Sequence, residues 1–280
     1  MKKMSLTEQI TYSTVKLSCK LKDGRISNGT GFIIDLCENK EEGTVIPLLI
    51  TNKHVIENSV DTTFEFCKKN EEGDPVDTET VPITVMSTLW NKHPDNSVDL
   101  VSLPLSEVIN LTKKFNQNIF YISLDKSLIP SQNEINEFQA MEEVVMVGYP
   151  IGLMDYHNHK PIIRSGITAT ILKNDYQGNR EFLIDMACFP GSSGSPIFIV
   201  NEGSYRTGKG LFIGSRIKLI GILRAGPMYS ANGTIIIKDI STLPFPVVDI
   251  PINLGVVIKS ERLLEIETFY FNLMEGQDND

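Results

Sequence analysis

Apolar residues in this chain come in short bursts rather than in long stretches of helical period. VKLSCKL, GTGFIIDL, VIPLLIT, VDTTFEF, TVPITVM, VDLVSLPL, EEVVMVGYP, IIRSGITATIL, EFLIDMA, SPIFIV, LIGILRA, GTIIIKDI and INLGVVI are rich in Val, Ile and Thr and are bounded by Gly, Asn, Asp and Pro. β-Branched side chains suit a pleated surface and turn-forming residues end each run, so the pattern predicts strands throughout. No repeat of fixed period stands out. Helical spacing is confined to three places. Ser260 can cap SERLLEIETFYFNLM, where Leu263, Leu264, Ile266, Phe269, Phe271 and Leu273 supply an apolar face. LSEVINLTKKF and residues 5–12 predict two shorter helices.

The order of these segments suggests two β-lobes. DKSLIPSQNEINEF is polar and interrupts the strand pattern, which makes 126–138 a candidate linker between lobes at 1–125 and 139–258, with a helix and tail at 259–280. Residues 225–252 carry Pro227, Pro244, Pro246 and Pro251 and read as a long insertion with one strand inside it.

Composition narrows the functional classes. A chain of 280 residues, 41% hydrophobic and 22% charged, can bury a sizeable core without disulfides or metals. Its net charge of -9 and pI near 5.1 argue against a direct nucleic-acid partner, because neutralising phosphates requires clustered Lys and Arg. The first residues hold no apolar run long enough for a signal peptide or membrane span, so a cytoplasmic protein without membrane attachment is expected. Cys19, Cys37, Cys67 and Cys188 are widely spaced with no metal-ligand pattern, and reduced structural thiols are the default.

The strongest chemical signal is Phe189-Pro190-Gly191-Ser192-Ser193-Gly194-Ser195-Pro196, between two strand-like runs. Acyl transfer needs a hydroxyl nucleophile on a tight turn whose N–H groups converge where a carbonyl oxygen becomes anionic. Ser193 fits the nucleophile, and the turn Gly191-Ser192-Ser193 supplies the N–H groups of Gly191 and Ser193. An ordinary Gly/Ser-rich hairpin loop is the plain alternative. A serine also needs a base, and four histidines exist. His54 ends the apolar run LLITNKH, whereas His93 reads as a turn residue before proline. His157 and His159 lack a further acidic or cysteine ligand at a useful spacing, so no metal is assigned. The base needs a carboxylate to orient it. Asp99 leads the buriable strand VDLVSLPL, while Asp95 sits in an exposed-looking turn.

Together these segments resemble the trypsin-like serine peptidases. Gly29-Thr30-Gly31-Phe32 followed by Leu49-Ile50-Thr51-Asn52-Lys53-His54-Val55 is similar to the family's opening, Asp99-Leu100-Val101 to its aspartate strand, and Gly191 to Pro196 to its nucleophile turn. The order His, Asp, Ser is the family's order. Val145 to Pro150 and Ile163 to Thr168 resemble the second lobe of bacterial HtrA-type and glutamyl-endopeptidase-type members. The resemblance implies two six-stranded antiparallel β-barrels of chymotrypsin type with a C-terminal helix. It implies a catalytic triad of His54, Asp99 and Ser193 in the cleft, a protein or peptide substrate, and no cofactor.

One departure matters. The family usually has Asp or Asn before the nucleophile, and this chain has Ser192, which cannot pair with a new amino terminus. Zymogen activation by N-terminal cleavage is therefore not expected; gating by an activating protein partner, or an inactive regulatory module, stays open. The resemblance places the substrate pocket at Ala187, Leu223, Arg224, Ala225 and Gly255. Ala187 carries no charge, which points to an apolar side chain before the scissile bond. Arg224 turned inward would favour an acidic one, and Arg224 turned outward would not.

Overall fold

The computed structural model describes residues 4–39, 44–208, 210–226, 228–231 and 248–277. The strands of the first half are β1 (Thr14–Leu21), β2 (Ile26–Asn39), β3 (Thr44–Thr51), β4 (Ser59–Lys69), β5 (Pro75–Met86), β6 (Asn91–Lys92), β7 (Val101–Pro104), β8 (Ile119–Phe120) and β9 (Leu124–Asp125). They pair in the order β5-β4-β1-β2-β3-β7-β6, with β8 on β4 and β9 on β2. In the second half, β10 (Glu143–Gly148), β11 (Ile162–Thr168), β12 (Glu181–Asp185), β13 (Pro196–Asn201), β16 (Arg216–Ala225) and β19 (Leu254–Lys259) close into a barrel. Between its strands lie two hairpins, β14 (Ser204–Thr207) with β15 (Gly210–Ile213), and β17 (Met228–Ala231) with β18 (Val248–Pro251). Of the two six-stranded barrels expected, the second half forms one; the first half pairs as a nine-stranded sheet among the described residues.

The unbroken apolar runs FII and LLI have a direct cause in burial. Phe32, Ile33 and Ile34 on β2 and Leu48, Leu49 and Ile50 on β3 are all fully buried, so both faces of this strand pair are covered. Ile33 and Leu49 face Leu17, Phe64, Phe66 and Leu103 within the first sheet. Phe32, Ile34, Leu48 and Ile50 face the other way, onto a core shared with Phe198, Leu219 and Ile222 of the barrel. The barrel's own interior holds Val144, Met146, Phe182, Ile184, Ile197 and Val257. β2 and β3 therefore form the wall where the two sheets meet.

Helices sit at the margins. α1 (Leu6–Ser13) starts with a capping box in which the Ser5 hydroxyl accepts from Glu8 N and the Glu8 carboxylate accepts from Ser5 N. α2 (Lys53–Ile56) is a single turn after β3, and α3 (Ser106–Lys114) lies where a helix was expected. α4 (Gln132–Glu137) occupies the polar stretch read as a linker, under a second capping box of Ser131 and Glu134. α5 (Leu263–Gln277) follows a 3-10 turn, Ser260–Arg262, that starts after Lys259; Ser260 is buried and lies inside the turn instead of capping the helix. Of the expected apolar face, Leu263, Ile266, Phe269 and Phe271 dock on the core, whereas Leu264 and Leu273 are 36% and 46% exposed. Glu267 and Tyr270, also buried, add polar anchors to that face: Tyr270 OH bonds Asn91 and Ser102, and Glu267 receives Lys126 Nζ at 2.6 and 2.7 Å. Residues 232–247 of the expected insertion lie outside the described residues, and its described ends form the β17–β18 hairpin. The four cysteines are buried, and none is paired with another.

Candidate active site

His54 is placed by the end of β3. The chain leaves Thr51, passes the fully buried Asn52 in extended conformation, and turns through α2, which carries the imidazole outward at 45% exposure. The loop before β7 is tied to this turn by three backbone-directed bonds. Asn52 Nδ2 donates to Asp99 O at 2.9 Å, Lys53 N donates to the same oxygen at 3.3 Å, and His54 N donates to Asp99 Oδ1 at 3.0 Å. The second carboxylate oxygen, Oδ2, lies 2.6 Å from His54 Nδ1. A hydrogen bond to a carboxylate that only accepts would have Nδ1 as its donor. Asp95 has other partners: its carboxylate accepts from Ser97 N, Ser97 Oγ and Arg262 Nη2. The bonds from Ser97 hold it below the usual carboxylate range.

The Gly191–Ser195 turn is held from both sheets. Thr30 N on β2 donates to Ser193 O at 2.9 Å, Gly194 N donates to Leu223 O at 2.9 Å, and Leu223 N on β16 donates to Ser195 O at 2.9 Å. Gly194 adopts φ 88°, and a Cβ there would collide with the Thr30 carbonyl and the Thr51 hydroxyl. That hydroxyl donates to Thr30 O at 2.7 Å, three residues before His54. The nucleophile turn thus packs on the strand pair that ends in the histidine. No hydrogen bond joins the Ser193 hydroxyl to His54; Ser193 Oγ donates instead to Arg224 O at 3.2 Å.

Two N–H groups of the turn are open. Ile151 N donates to Pro190 O at 2.6 Å, and the intervening peptide is trans, so Gly191 N–H points away from Ile151. Among the described residues neither Gly191 N nor Ser193 N has an acceptor. Gly191 adopts φ 88°, and a side chain there would press on the Tyr149 carbonyl and Ile151 N at 2.7 and 3.0 Å. The Gly191 carbonyl accepts from Thr30 Oγ1 at 2.9 Å, which in turn accepts from Tyr149 N at 3.0 Å. Ser192 is fully buried, and among the described residues its hydroxyl has no hydrogen-bond partner. Thr30, Thr51, Asn52, Tyr149 and Ile151 were not singled out as supports from sequence. Only the Thr-x-x-His spacing hinted at one of them.

The expected pocket residues divide. Gly255 and Leu223 lie together, since a side chain at Gly255 would meet Leu223 Cδ1 at 2.8 Å and Cys188 Sγ, next in the chain to Ala187, at 2.7 Å, and both Leu223 and Cys188 belong to the barrel core. Burial pushes the Cys188 thiol up to about 11. Arg224 points elsewhere: its Nε lies 2.9 Å from Glu181 Oε1, and it lines a cleft of about 810 Å3 with Asp99, Val98, Arg180 and Arg262. The side chain of Ala225 lies outside the described residues. Arg164, read from sequence only as part of a strand, donates from Nη1 to Ala187 O at 3.1 Å, with its guanidinium 5.1 Å from the Phe189 ring centre. Among the described residues, no group of three or more His, Cys, Asp or Glu side chains is placed to hold a metal ion. No described helix is long and apolar enough to cross a membrane.

The pattern of the trypsin-like peptidase domain matches residues 29–204, which span both the His54 turn and the Ser193 turn. The chain belongs to the trypsin-like peptidase family. A search of curated proteins found no match. Among solved structures it is similar to the HtrA-type protease AlgWS227A with tripeptide, at 15% identity and TM-score 0.50, over 94% of this chain and 61% of that one. A serine endoprotease from Yersinia pestis (16% identity, 100% and 69% covered, TM-score 0.45) and a protease from M. tuberculosis in its active form (13%, 92% and 80%, TM-score 0.44) also match. This trypsin-like chain spans about three fifths of the length of the first HtrA-type protease it matches.

Proposed function

We propose that this chain is a serine endopeptidase in which Ser193 attacks the peptide carbonyl, His54 shuttles the proton and Asp99 holds the imidazole. The observation that carries the reading is the double grip of Asp99, one oxygen on His54 N and the other 2.6 Å from Nδ1, beside a glycine-flanked serine turn. Ser193 Oγ gives its proton to His54 Nε2 as it bonds to the carbonyl carbon. The carbonyl oxygen, now anionic, accepts from Gly191 N and Ser193 N. His54 then passes the proton to the departing amine, and water removes the acyl group by the same steps. Asp99 stabilises the imidazolium without itself taking the proton. The reading keeps the two-lobe division at 126–138.

A partner-gated form is the second reading, supported by Ser193 Oγ resting on Arg224 O instead of His54. In this reading Ser193 Oγ must leave Arg224 O to reach His54, and an activating protein that orders the neighbouring loops would favour the attacking position. At the pocket, Arg164 beside Ala187 and the absence of an acidic group among its expected lining disfavour Lys or Arg before the scissile bond. An acidic side chain served by Arg224 would first have to displace Glu181. The test is hydrolysis of an unstructured protein substrate by wild type and Ser193→Ala. Cleavage lost in the variant supports the endopeptidase, and equal cleavage by both refutes it.

A further inference from the structure

β14 and β15 continue the β13–β16 hairpin beyond the barrel, and among the described residues each pairs only with the other. Proteolysis at Ser193 makes no use of them. One face of this pair is braced: Tyr205 and Phe212 stack with ring centres 5.8 Å apart, and the Arg216 guanidinium lies 4.5 Å from the Tyr205 ring centre. Strand alternation sends Leu211 and Ile213 to the opposite face, where they are 67% and 93% exposed. Residues 210–215 are exposed without interruption. The hairpin's own bonds decide which backbone groups are open. Gly214 N donates to Gly203 O at 2.9 Å, and the register runs on through Ser204 with Ile213, Tyr205 with Phe212 and Arg206 with Leu211. Bonded and unbonded pairs alternate in an antiparallel ladder, so Phe212 turns its N–H and C=O to Tyr205, while Leu211 and Ile213 turn theirs outward.

Open strand edges invite another chain, and proteins usually blunt them with proline or charge. The first sheet does so. β5 at one end carries Pro75, Asp77, Glu79 and Pro82, and β6 at the other is Asn91–Lys92. β15 has neither proline nor charge, and its surroundings Gly210-Leu211-Phe212-Ile213-Gly214 read nearly the same in both directions from Phe212. We infer that β15 is the pairing edge for a second copy of this chain, joined antiparallel across a two-fold axis at Phe212. Leu211 then meets Ile213 of the second copy on each side of the axis, closing four N–H···O bonds with groups already aimed outward, and the two Phe212 residues face each other as an unbonded pair. Charge allows the approach although each copy carries -9, because these five residues are uncharged. Arg206 lies in an outer strand of the joined four-stranded sheet, at least about 14 Å from its counterpart across three strand spacings and beyond the screening length. The exposed apolar surface amounts to about two large side chains per copy, well short of the ~1,200 Å2 buried by stable complexes, so the dimer is weak, with Kd on the order of 100 µM. This contact is independent of the catalytic reading.

Sedimentation velocity on the full chain from about 5 to 500 µM tests the pairing without reading any catalysis. The expected result is a weight-average coefficient that climbs towards the dimer value and stops there. Ile213→Pro removes an N–H that points outward and leaves the bonds between β14 and β15 in place, so it should weaken association at least about tenfold while the monomer stays folded. Oxidation by copper phenanthroline reads the register. Phe212→Cys should form a disulfide-linked dimer, because an unbonded pair on the axis has Cα atoms about 4.5 Å apart, within disulfide reach. Leu211→Cys, diagonal to its own counterpart, should cross-link far more slowly. The four native cysteines are buried, and wild type sets the background. A chain that stays monomeric to about 500 µM would overturn the inference, and its co-sedimentation with phosphatidylglycerol vesicles would assign the apolar edge to lipid instead. Association unchanged in Ile213→Pro, or equal cross-linking of the two cysteine variants, would overturn it as well.

Discussion

Thr30→Val isolates the support of the nucleophile turn with little change in shape. Thr30 is fully buried, and its hydroxyl donates to Gly191 O at 2.9 Å while accepting from Tyr149 N at 3.0 Å. Valine keeps the volume and removes both bonds, leaving a buried carbonyl and a buried N–H unpaired at about 1–3 kcal/mol each. Stability should therefore fall by about 2–6 kcal/mol, against the usual 5–15 kcal/mol of a folded domain. The catalytic loss has a separate cause: with its carbonyl released, the Gly191 peptide can turn and withdraw its N–H from the developing oxyanion. Removing one such donor costs about 2.7–4 kcal/mol in the transition state, so kcat should drop about 10²–10³-fold with KM little changed. Turnover of a peptide amide and the rate of fluorophosphonate labelling read this directly, and urea unfolding reads stability. Thr30→Ser keeps the hydroxyl and should retain most of kcat. A Thr30→Val protein with kcat within about threefold of wild type, or a serine variant as impaired as the valine, refutes the reasoning.

Three further outcomes are expected. Asp99→Asn should leave the fold intact and lower kcat by about 10⁴-fold near neutral pH, because an amide no longer fixes the Nδ1–H tautomer of His54; circular dichroism and steady-state kinetics check it. Burial holds the His93 imidazole below its ordinary pKa, with Glu265 and Asp95 opposing that shift and Arg180 adding to it. The unfolded chain then binds the proton first on acidification, so stability should be full above about pH 6.5 and decline as pH falls through and below that value. The urea midpoint from pH 7.5 to 5.5 should show this decline, and His93→Gln should flatten it. A peptide library varied at the residue before the scissile bond should show Lys and Arg cleaved at least about tenfold more slowly than the best apolar residue, since a cation there would meet Arg164.

The parts of this architecture written in local chemistry were readable from the sequence. Runs such as FII and LLI announced strands, residues 5–12 announced a short helix, and the glycines around Ser193 announced the turn. What depended on distant partners was not readable. The polar anchors of α5 bond Asn91, Ser102 and Lys126, far away in sequence, and hydrophobic count alone chose Leu273 over Tyr270. Arg224 turned from the pocket because Glu181, on another strand, offers it a carboxylate. Thr30 became the hub of the turn only when Tyr149 and Gly191 were folded against it. α4 is a different case. Its capping box, Ser131 with Glu134, was present in the sequence, but the polar composition of the segment masked it.

The central claim is that Ser193 is a nucleophile activated by His54. The most direct measurement is labelling of the intact protein with a fluorophosphonate, followed by peptide mapping by mass spectrometry, for wild type, Ser193→Ala and His54→Ala. A single adduct on Ser193, absent from Ser193→Ala and strongly slowed in His54→Ala, is the predicted result. An adduct that persists in Ser193→Ala, or labelling of Ser193 at an unchanged rate without His54, would contradict the account.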